Sequence, residues 1–95
     1  MKARKIYLAG KVSGLTYFEA YQNFWDQDLE FAGRGTTINP MKKCHPNWSW
    51  IRCMIVCIYY LVFHCNRISL QPNWKQSKGA KIEVLIAIIT RKEFI

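Results

Sequence analysis

Three short strand-like segments, each cut off by glycine or proline, alternate with stretches long enough for helices. Lys5-Ile6-Tyr7-Leu8-Ala9 reads as a strand running into a glycine-bounded loop, Gly10-Lys11-Val12-Ser13-Gly14. Thr36-Thr37-Ile38 reads as a second strand stopped by Asn39-Pro40, and Arg67-Ile68-Ser69-Leu70 as a third followed by Gln71-Pro72. Thr16-Tyr17-Phe18-Glu19 has the spacing of a capping box, so a first helix is predicted from there to about Ala32, where Gly33 stops it. Its apolar residues form two stripes, Tyr17/Tyr21/Phe24 and Phe18/Trp25/Leu29/Ala32, one for a sheet and one for a partner subunit or the chain's own fold. Met41 to Trp48 reads as loop. A second helix is expected from near Ser49 to about His64, and a third from Ser77–Gly79 with a core face of Ile82, Leu85, Ile86 and Ile89. Glu93-Phe94-Ile95 reads as a last short strand. Strands joined by helices in this order predict one α/β domain over residues 1–95, built on a small parallel sheet with right-handed crossovers.

Size and charge narrow the partners. A chain of 95 residues buries only roughly 60–65% of the surface its unfolded form exposes, so it gains from association. Aromatic side chains make up 15% of it, a surplus that suits an oligomer interface, and a homodimer is expected. The formal charge is +8, but no run of five or more like charges exists. Such scattered charge favours small phosphorylated anions and argues against nucleic acid. No secretory signal is visible, and the longest apolar run, Cys53–Phe63, is 11 residues where a membrane helix needs ~20. It reads as a buried helix; no membrane partner and a cytoplasmic location are expected.

Four cysteines (Cys44, Cys53, Cys57, Cys65) and two histidines (His45, His64) raise the question of a metal. Their spacing lacks the paired clusters of zinc sites, and the neighbours Cys44-His45 and His64-Cys65 are poorly placed to share one ion. They read as structural thiols, without metal, cofactor or disulfide.

The segment Asn73-Trp74-Lys75-Gln76-Ser77-Lys78-Gly79-Ala80-Lys81-Ile82-Glu83 carries the chemistry. With Ser77 as N-cap, the amides of Lys78, Gly79 and Ala80 would be unpaired, which makes an anion site to which the lysines add positive field. The same pattern also describes an ordinary Ser-capped helix with its lysines in solvent. Glu83 adds to the first reading. The chain has only six acidic residues, and no Lys or Arg stands three or four positions from Glu83 to explain it as a surface ion pair. Helical side chains lean toward the N-terminus, which puts Glu83 over Gly79 and Ala80. Trp48, Trp50 and Trp74 are candidates for stacking a base, Trp74 foremost because it lies in this loop.

These residues carry a resemblance. Ile6–Gly14, Ile38-Asn39-Pro40, Trp48-Ser49-Trp50 and Leu70–Trp74 leading into Ser77-x-Gly79-x-x-x-Glu83 resemble the nucleoside 2-deoxyribosyltransferase-like proteins, with the related deoxynucleoside 5′-monophosphate N-glycosidases. The resemblance implies a flavodoxin-like three-layer sandwich acting on a nucleoside or nucleotide. Glu83 would attack C1′ and expel the base, after which the sugar passes to water or to another base. It also implies substrate contacts from Tyr7, Gly10, Lys11, Ser13, Asn39, Trp74, Ser77 and Gly79, and sites near a subunit interface. The family's helical Asp falls near Cys57 or Ile58 here, and its usual Asp at the strand start is Asn66. With no acid between Glu30 and Glu83, Tyr59, Tyr60 or a partner subunit is left to protonate the base, and a non-catalytic nucleotide-binding module is the alternative.

Overall fold

In a computed structural model of the chain, residues 5–12, 14–45 and 47–95 are described. Four parallel strands, β1 (Lys5–Ala9), β2 (Thr36–Ile38), β3 (Arg67–Leu70) and β4 (Glu93–Phe94), form one sheet in the order β2-β1-β3-β4. Helices α1 (Tyr17–Glu30), α2 (Pro40–Lys43), α3 (Trp50–His64) and α4 (Lys78–Ile89) connect them. This is the α/β class with a small parallel sheet that the strand and helix alternation predicts. In β1, Tyr7 stands between Ile38 of β2 and Ile68 of β3.

The alternation of β1 divides the core into two layers. Tyr7 and Ala9 point to one face, where they pack with Cys57 and Leu61 of α3, Ile68, and Ala87 of α4. Ile6 and Leu8 point to the other, against Ala20 and Phe24 of α1 and Met41 of α2. Covering the sheet on both sides explains why the central strand β1 carries an unbroken apolar run from Ile6 to Ala9.

Local signals set most helix limits. The Thr16 hydroxyl accepts from the Glu19 amide and the Glu19 carboxylate accepts from the Thr16 amide, which completes the capping box. Asn39-Pro40, read from sequence only as a strand stop, also starts a helix. Asn39 Oδ1 accepts from the Met41 amide at 2.9 Å and Pro40 takes the first helical position, so α2 occupies part of the expected loop.

Two helical faces differ from expectation. The buried face of α4 is Gly79, Ala80, Glu83 and Ala87, while Leu85 and Ile89 are exposed. Small side chains let this helix pack closely against α3, and a helix whose apolar residues run nearly all round gives periodicity little to distinguish its inner face. Likewise α3 is not wholly buried: Cys57 and Leu61 face in, and Ile51, Ile55, Tyr59 and Phe63 face out. In α1 the inner face is Ala20, Phe24 and Gln27, leaving Phe18, Trp25 and Leu29 exposed. Among the described residues, no helix is long and apolar enough to cross a membrane.

Candidate functional site

In this strand order the crossovers from β1 run in opposite directions, one to β2 and one back past β1 to β3. Ligands of open parallel sheets bind beyond the carboxyl ends of the strands at such a switch point. The loops after β1 and β3 meet there. Gln71 donates its amide to the Ala9 carbonyl at 2.8 Å, and the Lys11 amide donates to Asn73 Oδ1 at 3.2 Å. Gly10 is required at this junction, because a Cβ would overlap the side-chain amide of Gln71.

Beside the junction lies a cleft of about 270 Å³. Its floor is Tyr7 and Glu83, its first wall is the start of α4 with Ser77, Gly79 and Ala80, and its opposite wall is Trp48, Ser49, Trp50, Cys53, Met54 and Cys57. Pro40, Met41, Cys44 and His45 close a third side. Two serine-capped helices therefore open onto one cavity. Ser49 Oγ accepts from the Arg52 amide at 3.2 Å, and Ser77 Oγ from the Ala80 amide at 3.1 Å. The second bond corrects one expectation: the Ala80 amide is already taken, so the amides of Lys78 and Gly79 are those the first turn leaves over. A Cβ on Gly79 would stand 3.0 Å from Met54 Sδ, so glycine lets α3 and α4 approach each other at the mouth.

Glu83 is only 5% exposed and accepts a hydrogen bond from the Tyr7 hydroxyl, itself fully buried. Among the described residues no Lys or Arg forms an ion pair with it. Burial pushes the Glu83 carboxyl up from 4.5 to about 7, against the pull of the Tyr7 hydrogen bond, which lowers it. Burial, with the neighbouring carboxylate, holds the Tyr7 phenol well above its usual range, so Tyr7 is a neutral donor. Cys57 sits beside this pair, its thiol pushed up to about 12 by burial. A carboxyl near 7 in an apolar cleft is a group poised between acid and base, a property typical of reactive sites.

Of the residues the sequence singled out, Tyr7, Gly10, Ser77, Gly79 and Glu83 line the cleft. Three others do not. Asn39 is buried and committed to capping α2 and to donating its amide to Asp28 Oδ2 at 3.3 Å. Lys11 contributes its backbone to the loop junction, and Trp74 sits in a 3₁₀ turn, Trp74–Gln76, with the Lys75 ammonium 5.8 Å from its ring. Ser13 lies outside the described residues. The tryptophans that reach the cleft are Trp48 and Trp50, which reverses the expected ranking, and neither Tyr59 nor Tyr60 lines it. Lys75, Lys78 and Lys81 are exposed.

The sequence reading missed the α3 wall. Trp50, Cys53, Met54 and Cys57 follow i, i+3, i+4, i+7 spacing, but in an apolar helix that stripe looks like ordinary core. It also missed a disulfide. Cys44 and Cys53, expected as free thiols, are bonded, because the short α2 brings their Cα atoms to 5.6 Å; Cys57 and Cys65 are free.

Residues 4–95 match the model of a family described as a domain of unknown function, DUF4406. No curated protein and no solved structure matches the chain.

Proposed function

The chain belongs to the DUF4406 family, whose description names no activity, and from that starting point we propose that it cleaves the N-glycosidic bond of a nucleoside or nucleotide, or transfers its 2-deoxyribosyl group, through Glu83. One observation carries this reading: a buried carboxyl, free of any described ion pair, shares a cleft with a serine-glycine helix start. The resemblance of the Ser77–Glu83 segment to the deoxyribosyltransferase-like proteins adds the substrate class.

The ionised Glu83 oxygen attacks C1′ of the sugar, and the C1′–N bond electrons leave with the base. The Tyr7 hydroxyl holds the carboxylate in position. The spare amides of Lys78 and Gly79 donate to the 5′ oxygens or phosphate, and the Trp48 and Trp50 rings flank the base. His45 lines the same cleft, and its Nδ1 accepts from the Asn47 amide at 3.1 Å, which leaves the proton on Nε2. That N–H suits a hydrogen bond to the departing base, which takes its proton from water. Water or a second base then attacks C1′ and releases Glu83. Incubating the protein with deoxynucleosides and their monophosphates, followed by chromatography, should show freed base. Turnover unchanged in Glu83→Gln would refute the assignment.

Cys57 favours a second reading. Where the resemblance places an Asp, near Cys57 or Ile58, this chain has no acid, and burial keeps the Cys57 thiol neutral, consistent with a module that binds nucleotide without cleaving it. Saturable binding with no base release from any substrate selects this reading.

Association as a homodimer fits the outward faces of α3 and α4, where Ile51, Ile55, Phe63, Leu85, Ile88 and Ile89 are each more than half exposed. Sedimentation should give twice the monomer mass, and Ile55→Lys should shift it toward the monomer.

A further inference from the structure

The cysteines on the cleft wall form a group that the glycosidic chemistry does not use. Cys44 closes α2, and Cys53 and Cys57 stand one turn apart on the inward side of α3. The three Sγ atoms all lie within 4.8 Å of one another. Cys57 Sγ is 3.6 Å from Cys44 Sγ and 3.8 Å from Cys53 Sγ.

Two uses of such a trio can be told apart by geometry. Attack of Cys57 on the Cys44–Cys53 disulfide needs its sulphur in line with that bond, which would place one target sulphur farther away than the other by about 2 Å. The two distances are nearly equal, so Cys57 flanks the bond and is poorly placed for exchange. A metal ion makes a different demand. Zinc–sulphur bonds of about 2.3 Å in a tetrahedron set the sulphurs about 3.8 Å apart. Two of the three edges already have that spacing. Only the Cys44–Cys53 edge has to open, and Cys44 lies outside any helix, on extended backbone at φ −104° and ψ 138°.

We propose that in the reduced protein Cys44, Cys53 and Cys57 bind one soft divalent metal ion such as zinc, with the fourth coordination position facing the cleft. Disulfide and metal exclude each other, because the bonded sulphurs of Cys44 and Cys53 are no longer thiolates. A phosphine reductant cleaves the disulfide, taking oxygen from water to become its oxide while the two sulphurs gain two protons. Zinc then replaces the protons of the three thiols, which pass to solvent. The proposal goes beyond the glycosidic reading and is tested without substrate.

The test is a zinc titration of the phosphine-reduced protein against a chromogenic chelator, with cobalt(II) as the spectroscopic probe of thiolate ligation. One ion per chain should bind, with a cobalt charge-transfer intensity of three thiolates, and the oxidised protein should bind none. Cys57→Ser should weaken zinc by more than about 100-fold, beyond the loss of an outer-shell partner alone. Cys44→Ser, at a half-buried position away from the sheet, should do the same while circular dichroism stays native. Cys65→Ser, outside the trio, should leave affinity unchanged. No stoichiometric zinc in the reduced wild type, equal binding by the oxidised protein, or full affinity in both Cys44→Ser and Cys57→Ser would overturn the proposal.

Discussion

The two faces of β1 are built from adjacent residues of one strand and do different work. On the α1 side, Ile6 and Leu8 meet apolar neighbours, and the buried polar groups are neutral amides and a hydroxyl. Gln27 donates its amide to the Ser69 carbonyl at 3.0 Å and to the Ser69 hydroxyl at 3.1 Å, and accepts from Gln71 at 3.1 Å. On the α3/α4 side, Tyr7 meets an ionisable set, Glu83 and Cys57, beside an open cleft. Apart from Gln71 Oε1, which has no hydrogen-bond partner among the described residues, this neutral network is satisfied inside the fold and ties α1 to the end of β3. A buried carboxyl with a single described donor resists ionisation, which costs stability unless a ligand uses it. One face is organised for cohesion and the other for chemistry.

If that contrast is right, the largest effect belongs to Glu83. Glu83→Gln should lower base release by at least about 10³-fold while nucleotide binding persists, measured by single-turnover kinetics and calorimetry. The same residue should leave a mark on folding. Its folded pKa, about 7, lies above the ordinary 4.5, so its contribution to stability is fully present below about 4.5 and is lost as pH rises through 7. Denaturant unfolding should show roughly 3 kcal/mol less stability at pH 8 than at pH 4.5 from this group, a slope that Glu83→Gln should flatten. Since attack requires the ionised carboxyl, turnover should rise with pH through about 7, and Tyr7→Phe should move that limb to higher pH.

On the opposite face, Gln27→Ala should cost about 2 kcal/mol by leaving Ser69 and Gln71 without partners, yet spare ligand affinity. A loss of affinity as large as the loss of stability would erase the distinction between the faces. The smallest effect is expected for Ser77→Ala. Losing the cap should cost about 1 kcal/mol of stability, read by thermal unfolding, and weaken phosphorylated ligands more than free nucleosides.

Strand and helix positions were legible from the chain because short-range chemistry determines them. The capping box at Thr16 and Glu19, the serine caps at Ser49 and Ser77, and the glycine and proline stops act within a few residues. Glu83 could be picked out for a similar reason, since its lack of a basic neighbour is a property of spacing. Where local signals had two meanings, reading was harder: Asn39-Pro40 ends β2 and begins α2 as well.

The sequence by itself determined the order of elements, the parallel sheet and the position of the acidic group one turn beyond a capped helix start. Only the tertiary structure decided which sides of α3 and α4 face inward, that Trp48 and Trp50 reach the cleft in place of Trp74, and that Cys44 joins Cys53 and Cys57. The reason is physical. Helices that are apolar on every side carry no periodic signal of which face is covered, and contacts between elements far apart in the chain depend on how closely small residues such as Gly79 and Ala87 let them pack.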